Sequence, residues 1–278
     1  MTIMVWLEPN DRDWTLMIEP GILRKAQLIM LDMLIEFDAL CKKHQLQYWL
    51  DSGTLLGAVR HQGFIPWDDD IDISMSIEDY NTFLEIAQSE FSSEIFFQTS
   101  QTDKSFKFDY IKLRSNKASI VEFHEKDKLI KYHQGVFVDI FPMLTIENTE
   151  ENKKLYENTL KEIRDVSSTS LHTPNGKDDP VKRAALTASL KQKHQGWKND
   201  KTKIIYSGEM PDVAAWFDIE KVFPLSTMEF EGHSFPVPNN PDHYLDAIYS
   251  FDYRQLPAKN KRIIHAHSIA FIHKKKSH

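Results

Sequence analysis

The chain lacks several features that would assign it to a well-defined class of protein. Its 278 residues include a single cysteine, Cys41, which excludes an intrachain disulfide and gives no support to a cysteine zinc site. No apolar stretch approaches the length of a membrane span. The N-terminal segment has a short apolar run without a basic flank, so we predict that it is not a signal peptide. These absences are consistent with a globular protein of a reducing compartment.

Basic residues are outnumbered by acidic residues. Lysine and arginine number 34 against 41 acidic residues, which gives a formal net charge of -7. A general nucleic-acid binder neutralises phosphates with basic side chains, so we predict no nucleic-acid partner. The basic tail at residues 273–278 could contact an anionic lipid surface, and a solvated tail is the alternative.

Aspartates are abundant in one segment, residues 48–75, where a small-residue turn at 51–54 precedes an acidic cluster. The cluster consists of Asp68, Asp69, Asp70 and Asp72. Side chains alternate along a strand, so we predict that Asp70 and Asp72 share one face and that Asp69 points away from it. Neighbouring carboxylates repel each other unless a cation lies between them. Oxygen ligands at this spacing suit Mg²⁺, with Mn²⁺ as the alternative ion.

Two other interpretations of the acidic cluster are available. A run of aspartates is most often a solvated loop or a helix N-terminus, but the half-buried Asp-Ile-Asp-Ile pattern favours a strand. Asp68, Asp70 and Asp72 also match the start of a calcium loop. That loop needs glycine at its sixth position and glutamate at its twelfth, where this chain has Ile73 and Asp79. The pattern therefore favours a catalytic metal site.

A further aspartate, Asp139, lies within the apolar run 135–142. A carboxylate on a buried strand is costly unless it is paired, hydrogen-bonded or bound to metal. A structural aspartate bonded to backbone amides is the alternative. Because the acidic pair needs a third ligand, we predict that Asp70, Asp72 and Asp139 are catalytic, with Asp139 accepting a proton. The predicted metal ligands are Asp68, Asp70, Asp72 and Asp139.

Several glycine, hydroxyl and basic residues are candidates for binding phosphate. The predicted set is Gly53, Thr54, Arg60, Lys112, Arg114 and His265. The first two begin a predicted helix, whose amides and dipole attract anions. Arg60 could clamp a diphosphate or simply favour the helix end. Lys112 and Arg114 share one face of a predicted strand, where solvated side chains are the alternative. His265 could reach the site or be an ordinary surface or core histidine.

Hydrophobic periodicity predicts an α+β order of elements. Helices are predicted at 22–46, 54–60, 76–89, 147–166 and 181–195, with Ser76 as an N-cap. Strands are predicted at 48–50, 71–75, 95–98, 108–114 and 136–141. The segment 167–180 is typical of a loop. We divide the chain into a catalytic core at 1–145, a helical insertion at 146–205 and a C-terminal elaboration at 206–278, packed as one unit.

A turn at a helix N-terminus, a D-x-D strand and a distant aspartate are typical of the nucleotidyltransferase fold. The block more specifically resembles the LicD family of phosphocholine and related phosphoalcohol transferases, which includes fukutin-type ribitol-phosphate transferases. The matching segments are 53–60, 63–72, 79–80 and 139–142. Residues 249–265 resemble the family's C-terminal signature, although Ser250 replaces the usual glycine and Gln255 and Ala258 dilute its proline-rich end. The resemblance implies a nucleotidyltransferase-like mixed sheet with flanking helices.

The resemblance also implies an activity. A family member would transfer phosphocholine from CDP-choline to a hydroxyl of a cell-surface glycan of lipopolysaccharide or teichoic acid type. It would use magnesium and work in the cytoplasm, where it could touch the inner face of the membrane peripherally. The same chemistry with CDP-ribitol or CDP-glycerol is an alternative. An inactive nucleotide- or glycan-binding regulator is a second alternative, against which the intact carboxylate triad argues.

Overall fold

The computed structural model describes residues 18–166, 179–194, 196, 203–207, 215–249 and 252–272. The α-helices of this part are α1 (Pro20–His44), α2 (Ser52–His61), α3 (Ile77–Ile86), α4 (Glu150–Asp165), α5 (Pro180–Gln192), α6 (Ile219–Val222) and α7 (Pro241–Ile248). The strands are β1 (Tyr48–Leu50), β2 (Asp72–Ser76), β3 (Ile95–Gln98), β4 (Ile111–Glu122), β5 (Gly135–Glu147), β6 (Lys203–Ser207), β7 (Trp216–Asp218), β8 (Ser226–Phe230), β9 (His233–Val237) and β10 (Ala266–Phe271). Short 3₁₀ turns lie at Ala87–Ser89, Phe123–Glu125 and Lys259–Lys261.

Eight of these strands form one mixed sheet with the order β1-β2-β5-β4-β10. Strand β3 also pairs with β4, and β6 pairs with β5 and with β7. The pair β2–β5 is parallel, whereas the other pairs are antiparallel. Strands β8 and β9 form a separate hairpin. The predicted α+β fold with a mixed, nucleotidyltransferase-like sheet is confirmed.

The long helix α1 packs on the sheet, where it contacts β4, β5 and β10. Pro20 lies in its first turn, where a missing N–H is harmless. The helix ends where Gln45 adopts a left-handed conformation and donates its N–H to carbonyls of the last turn. Its buried face includes Met30, Leu34 and Phe37, each fully enclosed. The amphipathic pattern predicted at 22–46 therefore forms one wall of the core.

Several predicted boundaries were wrong. The strand predicted at 136–141 begins at Gly135 and continues to Glu147. The strand predicted at 108–114 begins at Ile111 and continues to Glu122. Before it, Phe106, Phe108 and Tyr110 pack against one another, with ring centroids 5.2 to 6.0 Å apart, so these aromatics do not join the ladder. The helix predicted from residue 147 begins at Glu150, because β5 runs to Glu147 and Thr149 then caps the helix.

The remaining helices and strands that were predicted lie within a few residues of their observed positions. Ser76 caps α3 as expected, since its side chain accepts a hydrogen bond from the amide of Asp79. Most of the loop predicted at 167–180 falls outside the described residues. None of the helices in the described ranges is long and apolar enough to cross a membrane.

Candidate active site

The site begins at the N-terminus of α2, which Asp51 caps. The Asp51 carboxylate accepts hydrogen bonds from the amide of Ser52 at 2.6 Å, from the hydroxyl of Tyr244 at 3.0 Å and from the hydroxyl of Ser74. Ser52 has φ of +44°, which is uncommon for a residue other than glycine. Burial raises the pKa of Asp51, and its hydrogen bonds oppose that shift. Asp51 therefore fixes the turn through a buried network.

Gly53 allows the helix to approach the acidic cluster. A Cβ atom placed on Gly53 would lie 2.9 Å from Oδ2 of Asp68, which is closer than real Cβ contacts allow. The φ angle of Gly53 is not in the left-handed region. The reason for glycine at this position is therefore the limited space beside Asp68. Gly53 therefore lies beside one carboxylate of the acidic cluster, and its predicted role in binding phosphate stays a prediction.

Thr54 holds the first residue of β2 in place. The amide of Asp72 donates a hydrogen bond of 2.9 Å to Oγ1 of Thr54. The amide of Asp51 donates in turn to the carbonyl of Asp72 at 3.0 Å. Because both bonds lie at the start of the strand, the turn and the acidic residue are fixed relative to each other. Thr54 thus positions Asp72 through its hydroxyl group.

Asp72 and Asp139 lie side by side in the sheet. They are register partners on the parallel strands β2 and β5. Lys112 on β4 is the next partner of Asp139, and Gln98 on β3 is the next partner of Lys112. Register partners present their side chains on the same face of a sheet. These four residues therefore form one polar row, called here the acidic row, across four strands.

Within the acidic row, Asp139 and Lys112 form a buried ion pair. Nζ of Lys112 is 2.8 Å from each carboxylate oxygen and hydrogen-bonds to Oδ2. The side chains of Lys112 and Asp139 are only 6% and 9% exposed, so the pair is largely desolvated. Oδ1 of Asp139 is buried and accepts no hydrogen bond among the described residues. Burial raises the pKa of Asp139, whereas Lys112 lowers it.

The remaining carboxylates of the cluster hold one another's pKa values high. Burial and then the charge of Asp69 raise the pKa of Asp70 to about 7, although His265 and Lys112 oppose the shift. Burial and then the charge of Asp70 raise the pKa values of Asp68 and Asp72 well above their usual range. Crowded acids that resist ionisation in this way are typical of functional sites.

Asp70 precedes β2 by two residues, so strand alternation, from which its direction was predicted, does not by itself fix its side chain. Asp69 is buried and points to the C-terminal segment, where it accepts hydrogen bonds from the amides of His265 (3.2 Å) and Ala266 (2.5 Å). The His265 ring also lies 3.5 Å from Asp69. Burial lowers the pKa of His265, but its hydrogen bond with Asp69 and the charges of Asp69 and Asp70 raise it to about 10. The neighbouring carboxylates therefore favour the protonated form of His265 beside the acidic cluster.

The two predicted arginines have structural partners. Arg60 donates from one nitrogen to the carbonyl of Tyr253 at 2.5 Å and to that of Gln255 at 3.3 Å. Arg114 is buried and donates to Oε1 of Gln98 and to the carbonyl of Gly135, each at 2.8 Å. Both side chains thus hydrogen-bond to neighbouring segments of the chain and hold them in place. All four predicted basic residues still act on the carboxylates through their charges: His265 and Lys112 lower the pKa of Asp70, Arg60 lowers that of Asp68, and Arg114 lowers that of Asp139.

The loop between α2 and β2 is pinned from two sides. Gln27 of α1 donates to the carbonyl of Asp68 at 2.8 Å. Glu231, at the tip of the β8–β9 hairpin, accepts from the amide of Phe64 at 3.0 Å and from Arg24 at 2.6 Å. These contacts fix the acidic cluster between the first helix and a hairpin more than 150 residues further along the chain.

Two contributors to the site were not among the predicted residues. Asp51 was placed in the turn but given no role, although it is buried and caps α2. Tyr249 lies near the cluster. Burial and then the charges of Asp68 and Asp72 raise its pKa well above the usual range. The small-residue context of Asp51 was a usable N-cap signal. The sequence resemblance includes Tyr249 only as the first residue of the segment 249–265, without a role, because its position beside the cluster depends on distant packing.

The donor set of the acidic cluster fits a hard divalent cation. Carboxylate oxygens are the ligands that Mg²⁺ prefers, and a cation would relieve the repulsion that raises these pKa values. Among the described residues, one group of three side chains has its possible metal-ligand atoms within 4.8 Å of one another. It consists of Glu122, His124 and Glu125. Glu122 and Glu125 form a capping box around a short turn, which explains that proximity. No three of Asp68, Asp70, Asp72 and Asp139 form such a group among the described residues.

Known proteins match this chain over the segment that builds the site. Residues 45–172 match the family described as LicD/FKTN/FKRP, nucleotidyltransferase domain. The lipopolysaccharide cholinephosphotransferase LicD of Haemophilus influenzae is 29% identical over 269 residues, which cover 90% of this chain and 98% of that protein. The human ribitol 5-phosphate transferase FKRP is 30% identical over 74 residues, 27% of this chain and 15% of that protein.

A further relative comes from Rickettsia typhi and is 31% identical over 201 residues, which cover 72% of this chain and 56% of that protein. The matched segment contains α2, the acidic cluster and Asp139. The family match agrees with the observed α+β fold. Residues 45–172 of this chain therefore form a nucleotidyltransferase domain of the LicD/FKTN/FKRP type, and most of the chain is similar to the Haemophilus protein.

Proposed function

We propose that this protein transfers phosphocholine from CDP-choline to a hydroxyl group of a cell-surface glycan, in a metal-dependent reaction. The observation that carries the proposal is the acidic row, in which Asp72 and Asp139 are register partners beside Asp68 and Asp70. The Haemophilus relative, which covers most of this chain, is a lipopolysaccharide cholinephosphotransferase. Phosphoalcohol transfer is therefore the general activity, and the choline donor and glycan acceptor are its proposed specific form.

In the proposed reaction, the acceptor oxygen attacks the phosphorus that carries choline, and the bond from that phosphorus to CMP breaks. Asp70 and Asp72 would hold Mg²⁺, with Asp68 and Asp139 beside them. The ion would supply charge neutralisation on the diphosphate. Asp139 would take the acceptor's proton, and its Oδ1 lies 2.8 Å from Nζ of Lys112 but accepts no hydrogen bond from the described residues.

Cationic groups on either side of the cluster would favour the anionic donor. His265 is held beside the cluster by Asp69, and its pKa of about 10 keeps it charged at neutral pH. The N-terminus of α2 offers partial positive charge at Gly53, where no Cβ blocks approach. Lys112 keeps Asp139 oriented through Oδ2. These three features would bind and orient the diphosphate. The carboxylates would hold the metal ion, and Asp139 would take the acceptor's proton.

A second donor class is favoured by one observation, the match to human FKRP, a ribitol 5-phosphate transferase. A polyol phosphate would need polar partners, whereas a quaternary ammonium favours aromatic faces.

The donor is made in the cytoplasm according to the family resemblance, and we propose that the protein works there. Peripheral contact with the membrane is part of the same proposal.

The donors are separated by measuring CMP release from CDP-choline, CDP-ribitol and CDP-glycerol. Each donor is incubated with purified acceptor glycan, with Mg²⁺ and with chelator. The proposal expects release from CDP-choline, dependent on acceptor and on Mg²⁺. CMP release from CDP-ribitol or CDP-glycerol but not from CDP-choline would change the proposed donor and leave the proposed transfer chemistry unchanged. Thermal stabilisation by CDP-choline with no CMP from any donor would overturn the proposal in favour of an inactive binding protein.

A further inference from the structure

Two loops of the described chain carry a group of exposed lysines. One loop joins β3 to β4 at residues 99–110, and the other leads into β5 at residues 126–134. Their exposed side chains define what is called here the loop patch. The loop patch consists of Lys104, Lys107, Lys126, Lys128, Leu129 and Lys131. A shallow groove of about 300 Å³ lies between the two loops.

The two loops are fixed to each other and to the sheet. The amide of His133 donates to Oδ2 of Asp103 at 2.8 Å, across the two loops. Gln98, the last residue of the acidic row, donates to the same oxygen at 3.0 Å and to the carbonyl of His133 at 3.3 Å. Phe106 is fully buried and packs against Tyr132, with ring centroids 6.1 Å apart. The loop patch is therefore one surface held in a set shape.

The charge of the loop patch is opposite to that of the whole protein. All five of its lysines are exposed, and none forms an ion pair within the described residues. Asp127 is the one exposed acid among residues 99–110 and 126–134, since Asp103 and Asp109 are half-buried. The protein as a whole has a net charge of -7. A local excess of lysines on an acidic protein favours an extended anionic surface as partner.

Leu129 distinguishes this surface from a site for a soluble anion. Its side chain is 85% exposed, the largest exposed fraction among the large hydrophobic residues that the structure describes. It lies between Lys128 and Lys131 in sequence, and Ile130 beside it lines the groove. An exposed apolar side chain flanked by lysines suits the boundary between lipid headgroups and acyl chains. A soluble phosphate would gain nothing from the leucine.

We propose that the loop patch docks this protein on an anionic lipid bilayer. Leu129 enters the acyl boundary, and the five lysines meet the phosphates of the headgroups. Because Gln98 ties both loops to the acidic row, docking would set the orientation of the sheet relative to the bilayer. The inference concerns binding alone and goes beyond the proposed transfer reaction, so it can fail or hold independently of turnover.

The test measures co-sedimentation of the full chain with vesicles of phosphatidylcholine alone and with an equal share of phosphatidylglycerol. We expect binding to the anionic vesicles that weakens as salt rises, because screening reduces headgroup attraction. The double variant Lys128→Glu/Lys131→Glu should lose at least about 25-fold in affinity, since each lysine near an anionic surface contributes roughly fivefold. Leu129→Ser should weaken the binding that remains at high salt.

Two control variants carry similar changes of charge elsewhere. Lys161→Glu/Lys182→Glu alters exposed residues of α4 and α5, and a second control replaces Lys274, Lys275 and Lys276 of the tail by glutamine. Both should bind anionic vesicles like the wild type. Binding that is lost only in the tail variant would overturn the proposal. So would equal binding to neutral vesicles, or capture of inorganic pyrophosphate by the loop patch without any vesicle binding.

Discussion

Asp72 and Asp139 are register partners across the only parallel pair among the described strands of the sheet. Neighbouring strands are about 4.8 Å apart, so the two carboxylates stand next to each other on one face. Lys112 occupies the next place in the acidic row and pairs with Asp139. One cation therefore offsets part of the negative charge in the row, and Asp72 has no such partner in it.

Replacing Lys112 by methionine tests the ion pair. Lys112→Met keeps the length of the side chain but leaves the Asp139 carboxylate buried without its cation. We expect the free energy of unfolding to fall by about 3–5 kcal/mol, the usual effect of breaking a buried pair. In Lys112→Met/Asp139→Asn the orphaned charge is gone, so the double variant should be less destabilised than the sum of the singles. Urea denaturation measures all three, and additive effects would contradict the pairing.

A second prediction concerns the bond that positions Asp72. Thr54→Val keeps the shape of the side chain but leaves the amide of Asp72 without its acceptor. We expect a loss of about 1–3 kcal/mol in the free energy of unfolding, together with reduced turnover. Thr54→Ser retains the hydroxyl and should preserve most of both. Equal behaviour of the valine and serine variants would show that the hydroxyl does not position the strand.

Gly53 and Gly21 form a matched pair for a third prediction. Gly53→Ala places a Cβ 2.9 Å from Oδ2 of Asp68, whereas a Cβ on Gly21 meets nothing within 4 Å. We expect Gly53→Ala to lower activity because Asp68 must move. Gly21→Ala should leave activity unchanged and raise stability by about 0.5–1 kcal/mol, the ordinary gain for alanine in a helix. Activity assays and thermal unfolding of both variants measure the contrast, and full activity in Gly53→Ala would contradict it.

Stability should depend on pH through Asp70. Its pKa rises from 3.8 to about 7 in the folded protein, so the folded state binds a proton that the unfolded state has lost between those values. The contribution of Asp70 to stability therefore falls as pH rises across that window. Asp70→Asn removes this dependence, so its melting temperature relative to the wild type should increase from acidic to neutral pH. Mg²⁺ should stabilise the wild type more than the variant, and a constant difference across pH would contradict the assignment.

Much of the fold follows from local sequence. The apolar periodicity of residues 22–46 predicts α1, and the cap at Ser76 predicts the start of α3. The lone Asp139 in an apolar run indicated a buried acid, which the structure places beside Asp72. In each case a short segment contains its own physical reason, such as a cap, a period or a costly buried charge. Such features can be recognised without knowing what packs against them.

The parts that local sequence did not predict depend on distant contacts. Asp69 turns toward the C-terminal segment because amides nearly 200 residues away satisfy its carboxylate. Arg60 is held by carbonyls near residue 254, so its partner could not be inferred from α2 alone. Strand β4 begins later than predicted because Phe108 and Tyr110 pack with Phe106. Long-range satisfaction of polar groups and aromatic clustering decide these positions.

The central claim is that the acidic row carries out the transfer. Its most direct test is CMP release from CDP-choline by Asp72→Asn, with Asp32→Asn on the exposed face of α1 as the matched control. The account predicts that Asp72→Asn remains folded and loses about 10³-fold in rate, since a lost electrostatic contact at the transition state costs several kcal/mol. Asp32→Asn should retain wild-type turnover. A folded Asp72→Asn protein that releases CMP at the wild-type rate would contradict the account.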